Sequence, residues 1–114
     1  MKVLVCGGRR FTDKGLLDRT LDALDPQPSL IIQGEASGAD VMAAQWAAAR
    51  GIPIASYPAQ WSLGRGAGPI RNRFMLQDSQ PDLVVAFPGG NGTENMVKIA
   101  EKAGVRVIRV TTKG

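Results

Sequence analysis

A chain of 114 residues that is 44% hydrophobic carries enough apolar material for one core, so a single domain spanning residues 1–114 is expected. Histidine is absent and cysteine occurs once, which removes histidine-based catalysis, histidine metal sites, internal disulfides and iron–sulfur ligation; neither a metal nor a cofactor is expected. The net charge of +4 points to anionic partners, but aromatic residues make up only 5% and no basic run occurs, which disfavours nucleic acid.

The chain opens on Lys2 and a four-residue apolar run, Val3 to Cys6, too short for a signal peptide or a membrane span, so a cytoplasmic protein without membrane contact is expected. That run reads as a first strand near residues 2–6, with Cys6 a small core residue rather than a nucleophile. Thr12 or Asp13 is the N-cap of a first helix whose buried stripe is Leu16, Leu17, Thr20, Leu21 and Leu24, ended by Pro26 and Pro28. A second strand near 29–33 leads to an alanine-rich helix from about Gly38 to Arg50, with Met42 and Trp46 on one face. A third strand near 53–57 precedes the longest irregular segment, residues 58–67, and a third helix from about Gly68 to Asp78. Leu83 to Phe87 read as a buried strand within 82–87 that Pro88 stops. The fourth helix runs from about Thr93 to Ala103, closed by Gly104, and a fifth strand lies near 106–110. Alternating strands and helices indicate an α/β fold, and right-handed crossovers give a doubly wound parallel sheet of about five strands in the order 3-2-1-4-5. Lys98, Lys102, Arg106, Arg109 and Lys113 read as a solvated face.

Three of these strands end in glycine before a helix. Gly7-Gly8-Arg9-Arg10 follows the first, Gly34-Glu35-Ala36-Ser37-Gly38-Ala39-Asp40 the second, and Pro88-Gly89-Gly90-Asn91-Gly92-Thr93-Glu94 the fourth. A parallel sheet brings these ends to one side, and the order reverses between strands 1 and 4, so the first and last of these loops face each other across the switch-point crevice. Glycines let backbone N–H groups converge there, and a helix N-terminus adds unpaired donors and a positive dipole end, which suits a phosphate or another anion. Arg9, Arg10, Arg65, Arg71 and Arg73 fall in or beside glycine-rich segments, a placement that fits a small anionic ligand better than a duplex. The first loop lacks the third glycine of G-x-G-x-x-G and no Gly-Lys-Ser or Gly-Lys-Thr occurs, so dinucleotide-fingerprint and P-loop readings are disfavoured.

Four motifs in order, Val5-Cys6-Gly7-Gly8-Arg9-Arg10-Phe11, the Gln33 to Asp40 loop, Ala67-Gly68-Pro69-Ile70-Arg71-Asn72-Arg73-Phe74-Met75 and Phe87-Pro88-Gly89-Gly90-Asn91-Gly92-Thr93, resemble the YspA-related proteins of the SLOG superfamily over nearly the whole chain. That superfamily includes the Lonely Guy phosphoribohydrolases, often described as lysine decarboxylases, and the DNA-processing protein DprA. The resemblance implies a Rossmann-like domain that binds a nucleotide or nucleotide-derived ligand, with Arg71 and Met75 in place of the arginine and methionine of the Lonely Guy enzymes. Pro88 to Thr93 match the first six positions of their P-G-G-x-G-T-x-E-E motif, but Asn95 and Met96 stand where the two glutamates belong and Glu94 comes one residue early. That departure weighs against hydrolysis, because cleavage of an N-glycosidic bond calls for a carboxylate beside the cationic sugar.

The leading expectation is therefore a module that senses or sequesters an AMP- or ADP-ribose-like ligand through Gly7, Gly8, Arg9, Arg10, Gly34, Gly38, Asp40, Arg71, Asn72 and the Pro88 to Thr93 loop, including Gly89, Gly90, Asn91 and Gly92. The alternative is a nucleoside 5′-monophosphate phosphoribohydrolase using Arg71 with Glu94 or Glu35. A third reading, single-stranded DNA binding in the manner of DprA, finds few aromatic platforms. Asp40 caps the second helix or braces a loop arginine, Asn72 reads a ligand edge or caps its own turn, and Trp61 covers a ligand ring or packs on its own core. A homodimer is expected from the apolar circumference of the second helix, with Trp46 in the core or facing the partner.

Overall fold

The computed structural model describes residues 1–111; Lys113 of the expected solvated face lies outside them. Five strands, β1 (Lys2–Cys6), β2 (Leu30–Gln33), β3 (Ile54–Ser56), β4 (Leu83–Ala86) and β5 (Arg106–Arg109), form one parallel sheet in the order β3-β2-β1-β4-β5. Val3 pairs with Ile31 on one side and Leu83 on the other, so β1 is central. This is the doubly wound Rossmann-like arrangement read from the alternation of elements.

Strand alternation assigns the two faces. Val3, Val5, Ile31, Leu83 and Val85 point to one side, where α1 (Lys14–Asp22) covers them with Leu17 and Leu21 and α2 (Ala39–Ala49) with Ala43, Trp46 and Ala47. Leu4, Cys6, Ile32, Val84 and Ala86 point to the other, against Met75 and Leu76 of α3 (Ala67–Ser79) and Met96, Val97 and Ala100 of α4 (Asn91–Lys102). Because β1 and β4 are buried on both faces they read as continuous apolar runs. The first two crossovers lie on one face and the last two on the other, so the chain reverses between β1 and β4 and leaves their C-terminal ends uncovered.

Local signals explain most boundaries. Asp13 is the N-cap of α1, its Oδ1 accepting from the Leu16 N–H at 3.0 Å. Of the leucine stripe, Leu17 and Leu21 are buried while Leu16, Thr20 and Leu24 are half-buried. α4 starts two residues earlier than the apolar pattern suggests, with Gly90 as its N-cap, so Gly92 and Thr93 belong to its first turn. The segment before α3 is not wholly irregular either: Trp61–Gly66 form 3-10 turns broken at Gly64.

Trp46 lies in the core of its own chain at 1% exposure, and its indole N–H donates to Asp22 Oδ1 at 3.0 Å. It therefore does not face outward; on α2, Ala39, Ala43, Trp46 and Ala47 are buried while Val41, Ala48 and Ala49 stay exposed. The large apolar side chains that do stay exposed are Val41, Ile54, Trp61, Leu63, Ile70 and Phe74, on α2, β3, the 3-10 segment and α3.

Candidate functional site

The loops after β1 and β4 are locked together at the reversal point. The Gly8 N–H donates to the Pro88 carbonyl at 2.9 Å, and the Gly8 carbonyl accepts from the N–H groups of Phe11 at 3.2 Å and Ala39 at 3.4 Å. Gly38, the N-cap of α2 with φ of +80°, presses so closely on this carbonyl that a Cβ there would stand 2.2 Å from Gly8 O. A Cβ on Gly89 would meet Gly8 N at 2.6 Å. Three glycine-rich loops thus meet around one residue, Gly8, because only bare backbone fits between them.

A crevice of about 340 Å³ opens beside this junction. Gly7, Gly8 and Arg9 form one wall, Gly90, Gly92 and Thr93 of the α4 N-terminus face them, and Arg71, Asn72 and Gly68 of α3 close the third side. Asp40 and Ala36 line it from the loop after β2, and Trp61 stands at its mouth. A Cβ on Gly90, Gly92 or Gly68 would touch nothing within 4 Å, so the backbone at these positions borders empty space. The N–H groups of Asn91, Gly92 and Thr93 in the first turn of α4 have no intrahelical acceptor, which makes this wall a donor surface.

The charged groups of the crevice have well-defined partners. Arg71 is half-buried; its Nη1 donates to the Gly34 carbonyl at 2.7 Å and its Nε to Asn72 Oδ1 at 2.9 Å. Burial lowers its pKa while the Asp40 charge works the other way. A Cβ on Gly34 would lie 2.3 Å from Arg71 Nη1, so Gly34 is the seat of this guanidinium rather than a ligand surface. Asn72 is buried and donates to the Gly92 carbonyl at 3.1 Å and to Asn95 Oδ1 at 3.0 Å, tying α3 to α4. Asp40 is buried; its Oδ2 accepts from the N–H groups of Gly34 at 3.1 Å and Ala36 at 3.2 Å. It therefore braces the loop after β2 and does not cap α2. Burial pushes its carboxyl up to about 6, against the pull of the Ala36 N–H and the Arg71 charge. Cys6 lies at the floor, its thiol pushed up to about 12 by burial, and is a core residue.

Arg9 reaches over the crevice mouth, its guanidinium carbon 4.7 Å from the centre of the half-exposed Trp61 ring. Arg10, Pro88 and Gly89 lie beyond Gly8, in a neighbouring hollow. Asn91 is exposed at the start of α4, beside the crevice but not lining it. Neither proposed glutamate lines the Arg71 crevice. Glu94 is held by Arg109, Nη1 to Oε2 at 2.8 Å and Nη2 to Oε1 at 3.2 Å, over the β5 side of α4. Glu35, in a left-handed conformation with φ of +59°, points to a groove between α2 and β3. Asp40 is thus the carboxylate of the crevice among the described residues. Asn95 was missed by sequence reasoning; its position in place of a motif glutamate was the available signal. Among the described residues no three histidine, cysteine or acidic side chains come together, and no helix is long and apolar enough to cross a membrane.

The model of one family, YspA, cpYpsA-related SLOG, matches residues 1–64, which include two of the three glycine loops. The chain belongs to this SLOG family. No curated protein matches it. Among solved structures the SLOG chain is similar to DNA processing protein A (DprA) from Streptococcus pneumoniae, with a TM-score of 0.79 at 16% identity, covering 98% of this chain and 50% of that one. It is also similar to UDP-GlcNAc 2-epimerase from Neisseria meningitidis bound to UDP-GlcNAc, with a TM-score of 0.61 at 18% identity, covering 96% of this chain and 32% of that one. The SLOG chain therefore spans half or less of these structures, and at such identities the likeness is one of fold.

Proposed function

We propose that the crevice between Gly8, Arg71 and the α4 N-terminus binds a nucleotide or nucleotide-derived ligand as a sensing or sequestering module. One observation carries this reading: the guanidiniums of Arg9 and Arg71 and the open backbone of Gly90 and Gly92 surround the same empty volume. A phosphate against the first turn of α4 satisfies donors that the helix leaves free, and Arg71 is held at a fixed place by Gly34 and Asn72. Trp61 at the mouth, already under a cation, offers a face for a base. Membership of the SLOG family agrees with nucleotide handling. The test is calorimetry against AMP, ADP-ribose and NAD, where micromolar affinity is expected; no heat with any of them at millimolar concentration would overturn the reading.

Hydrolysis through Glu94 or Glu35 finds no support in the geometry, since neither carboxylate lines the volume beside Arg71. A phosphoribohydrolase reading would have to run through Asp40, whose Oδ2 is occupied by two N–H groups. Chromatography for free base after incubation with AMP checks it, and release of base that Asp40→Asn abolishes would establish the enzyme. The reading includes a cytoplasmic setting and a homodimer; the face we assign to the dimer is the exposed apolar surface of Leu63, Ile70 and Phe74. Light scattering of wild type and Phe74→Glu tests that face, and a monomer mass for wild type at micromolar concentration would remove it.

A further inference from the structure

The sheet ends at β3, and the outer edge of that strand is bare. The Ile31 N–H donates to the Pro53 carbonyl at 3.0 Å and the Tyr57 N–H to the Gln33 carbonyl at 2.9 Å, so Pro53, Ala55 and Tyr57 turn their backbone groups to β2. Ile54 and Ser56 therefore turn theirs away from the sheet, where no strand of the described residues pairs with them. Pro58, which has no N–H, closes the edge at the next outward position. What stays open is short: the N–H and carbonyl groups of Ile54 and Ser56.

Strand alternation puts the Ile54 and Ser56 side chains on the α2 side of the sheet, and there the helix leaves a groove of about 530 Å³ rather than a sealed contact. Val41, Ala44 and Ala48 of α2 form its wall at helical spacing, and Ile54 forms its floor. Val41 is 42% and Ile54 38% exposed, so an apolar surface lies open to water along the same line as the free backbone groups. The groove has one charge, and it stands at one end. Gln33 pairs in register with Ser56 and Glu35 follows two residues on, which places the carboxylate at the C-terminal end of β3. Glu35 is held there with φ of +59°, a conformation uncommon for glutamate, and its exposed carboxylate enters no ion pair among the described residues.

We propose that the groove between α2 and β3 docks an extended peptide of another protein, which adds as a sixth strand beside β3 and brings a lysine or arginine to Glu35. Ile54 and Ser56 supply the main-chain partners, as in strand addition generally. Residues two apart in the peptide project to the same side, so an apolar side chain lies on Ile54 and Val41 while the cation two residues away reaches Glu35. Charge selects this occupant over a second copy of the chain. Two β3 edges paired antiparallel about a two-fold axis would set Glu35 of one copy against the N-terminal end of β3 in the other, where Arg50 is already bonded to Asp22 at 2.8 Å and stacked on Trp46 at 4.5 Å. The carboxylate would then be covered without a partner, a loss that a cationic peptide avoids. The groove shares no lining residue with the Arg71 crevice, so the proposal is independent of the nucleotide reading.

The test is magnetic-resonance titration of isotope-labelled protein with a peptide of about eight residues that alternates threonine and valine around one lysine, and with its glutamate counterpart. Two further lysine peptides are N-methylated at every second residue, one in each frame, so that only one of them loses the N–H groups that face β3. The expected result is a dissociation constant on the order of 100 μM for the lysine peptide, binding of the glutamate peptide weaker by about fivefold or more, and loss of binding in one N-methylation frame only. Hydrogen exchange at the Ile54 and Ser56 amides should slow when the lysine peptide binds. Glu35→Gln should abolish the charge preference and Glu35→Lys reverse it; Glu35 is exposed, so both variants keep the fold, which their melting curves check. No binding of either peptide at millimolar concentration, equal binding of the two N-methylated frames, or a lysine preference that survives Glu35→Lys would overturn the proposal. A wild-type dimer that Val41→Glu converts to monomers would also overturn it, by giving the groove to a second copy.

Discussion

The glycines of the junction around Gly8 and those of the crevice rim occupy neighbouring loops, yet they are bare for opposite reasons. At Gly38 and Gly89 a methyl group would run into fixed backbone, 2.2 Å from Gly8 O and 2.6 Å from Gly8 N. At Gly90 and Gly92 a methyl group would meet nothing within 4 Å. The first pair is required by the folded chain itself; of the second, Gly90 serves as the N-cap of α4, whereas Gly92, inside the helix, gives the folded chain no advantage. A glycine in the first turn of a helix costs stability relative to alanine, so Gly92 is a local loss, which fits our proposal that a ligand approaches that backbone from outside. One half of the switch point serves packing, and the other is the half we propose for a ligand.

The sharpest way to break this comparison is to add a methyl group to each half. Gly38→Ala should be the most damaging, because the new Cβ strikes backbone and the residue must keep φ at +80°. The expected loss is on the order of 3 kcal/mol, read as a lowered denaturation midpoint with an unchanged slope. If Gly38→Ala is as stable as wild type, the interlocking of the three loops does not hold.

Gly92→Ala should do the reverse. Helix propensity predicts a gain of up to about 1 kcal/mol, while the methyl group intrudes on the donor surface of α4. Affinity for ADP-ribose or AMP, whichever binds more tightly to wild type, should fall about tenfold or more, with the melting temperature of the free protein unchanged or raised. A variant that is more stable and binds as well as wild type would show that ligands do not approach this backbone.

Much of this architecture is readable from the residues in order, and what escapes reading has a physical cause. Apolar runs ending in glycine identify β1, β2 and β4, since strands buried on both faces need no polar alternation. The fate of Trp46 was undecided by spacing alone, because its indole partner Asp22 lies 24 residues away on α1. Arg71 was legible as a crevice residue from its glycine neighbours, but its seat on Gly34 depends on a contact 37 residues distant. Glu35 and Glu94 resembled crevice acids in sequence; a left-handed turn sends the first outward, and one step along α4 gives the second to Arg109. The 3-10 segment at Trp61 carries no periodic signal, since its turns are short and interrupted at Gly64.

A smaller effect comes from pH. The Asp40 carboxyl, pushed up to about 6 by burial, is ionised at pH 7.5 and faces the site where anions are expected. A bound diphosphate disfavours the carboxylate further, so binding takes up a proton and affinity rises as pH falls through about 6. If the ligand raises this pKa by about one unit, the gain between pH 7.5 and pH 5 is at most about tenfold. ADP-ribose is the suitable probe, because a diphosphate diester has no proton of its own to gain near pH 6, unlike a phosphate monoester. Asp40→Asn should flatten the profile. For stability the sign is the same: the native state takes up this proton before the unfolded chain does, so the Asp40 contribution becomes more favourable as pH drops from about 6 towards the ordinary carboxylate range. An affinity for ADP-ribose that is independent of pH in the wild type would remove Asp40 from the ligand's surroundings.

The smallest effect is expected at Glu94, and it is informative for that reason. Its carboxylate is exposed and paired with Arg109, which holds its pKa below the usual range through the hydrogen bonds between them. An exposed ion pair of this kind adds little to stability, because water screens the charges and both side chains lose freedom. Glu94→Gln should therefore leave the melting temperature within the scatter of surface substitutions. It should also leave ligand affinity unchanged, since the side chain lies on the far side of the α4 first turn from Arg71 and lines a different hollow. A large loss of affinity, or of base release from AMP, on replacing Glu94 would mean that α4 turns its other side to the ligand, and the division between packing and ligand glycines would then have to be redrawn around Pro88 and Arg109.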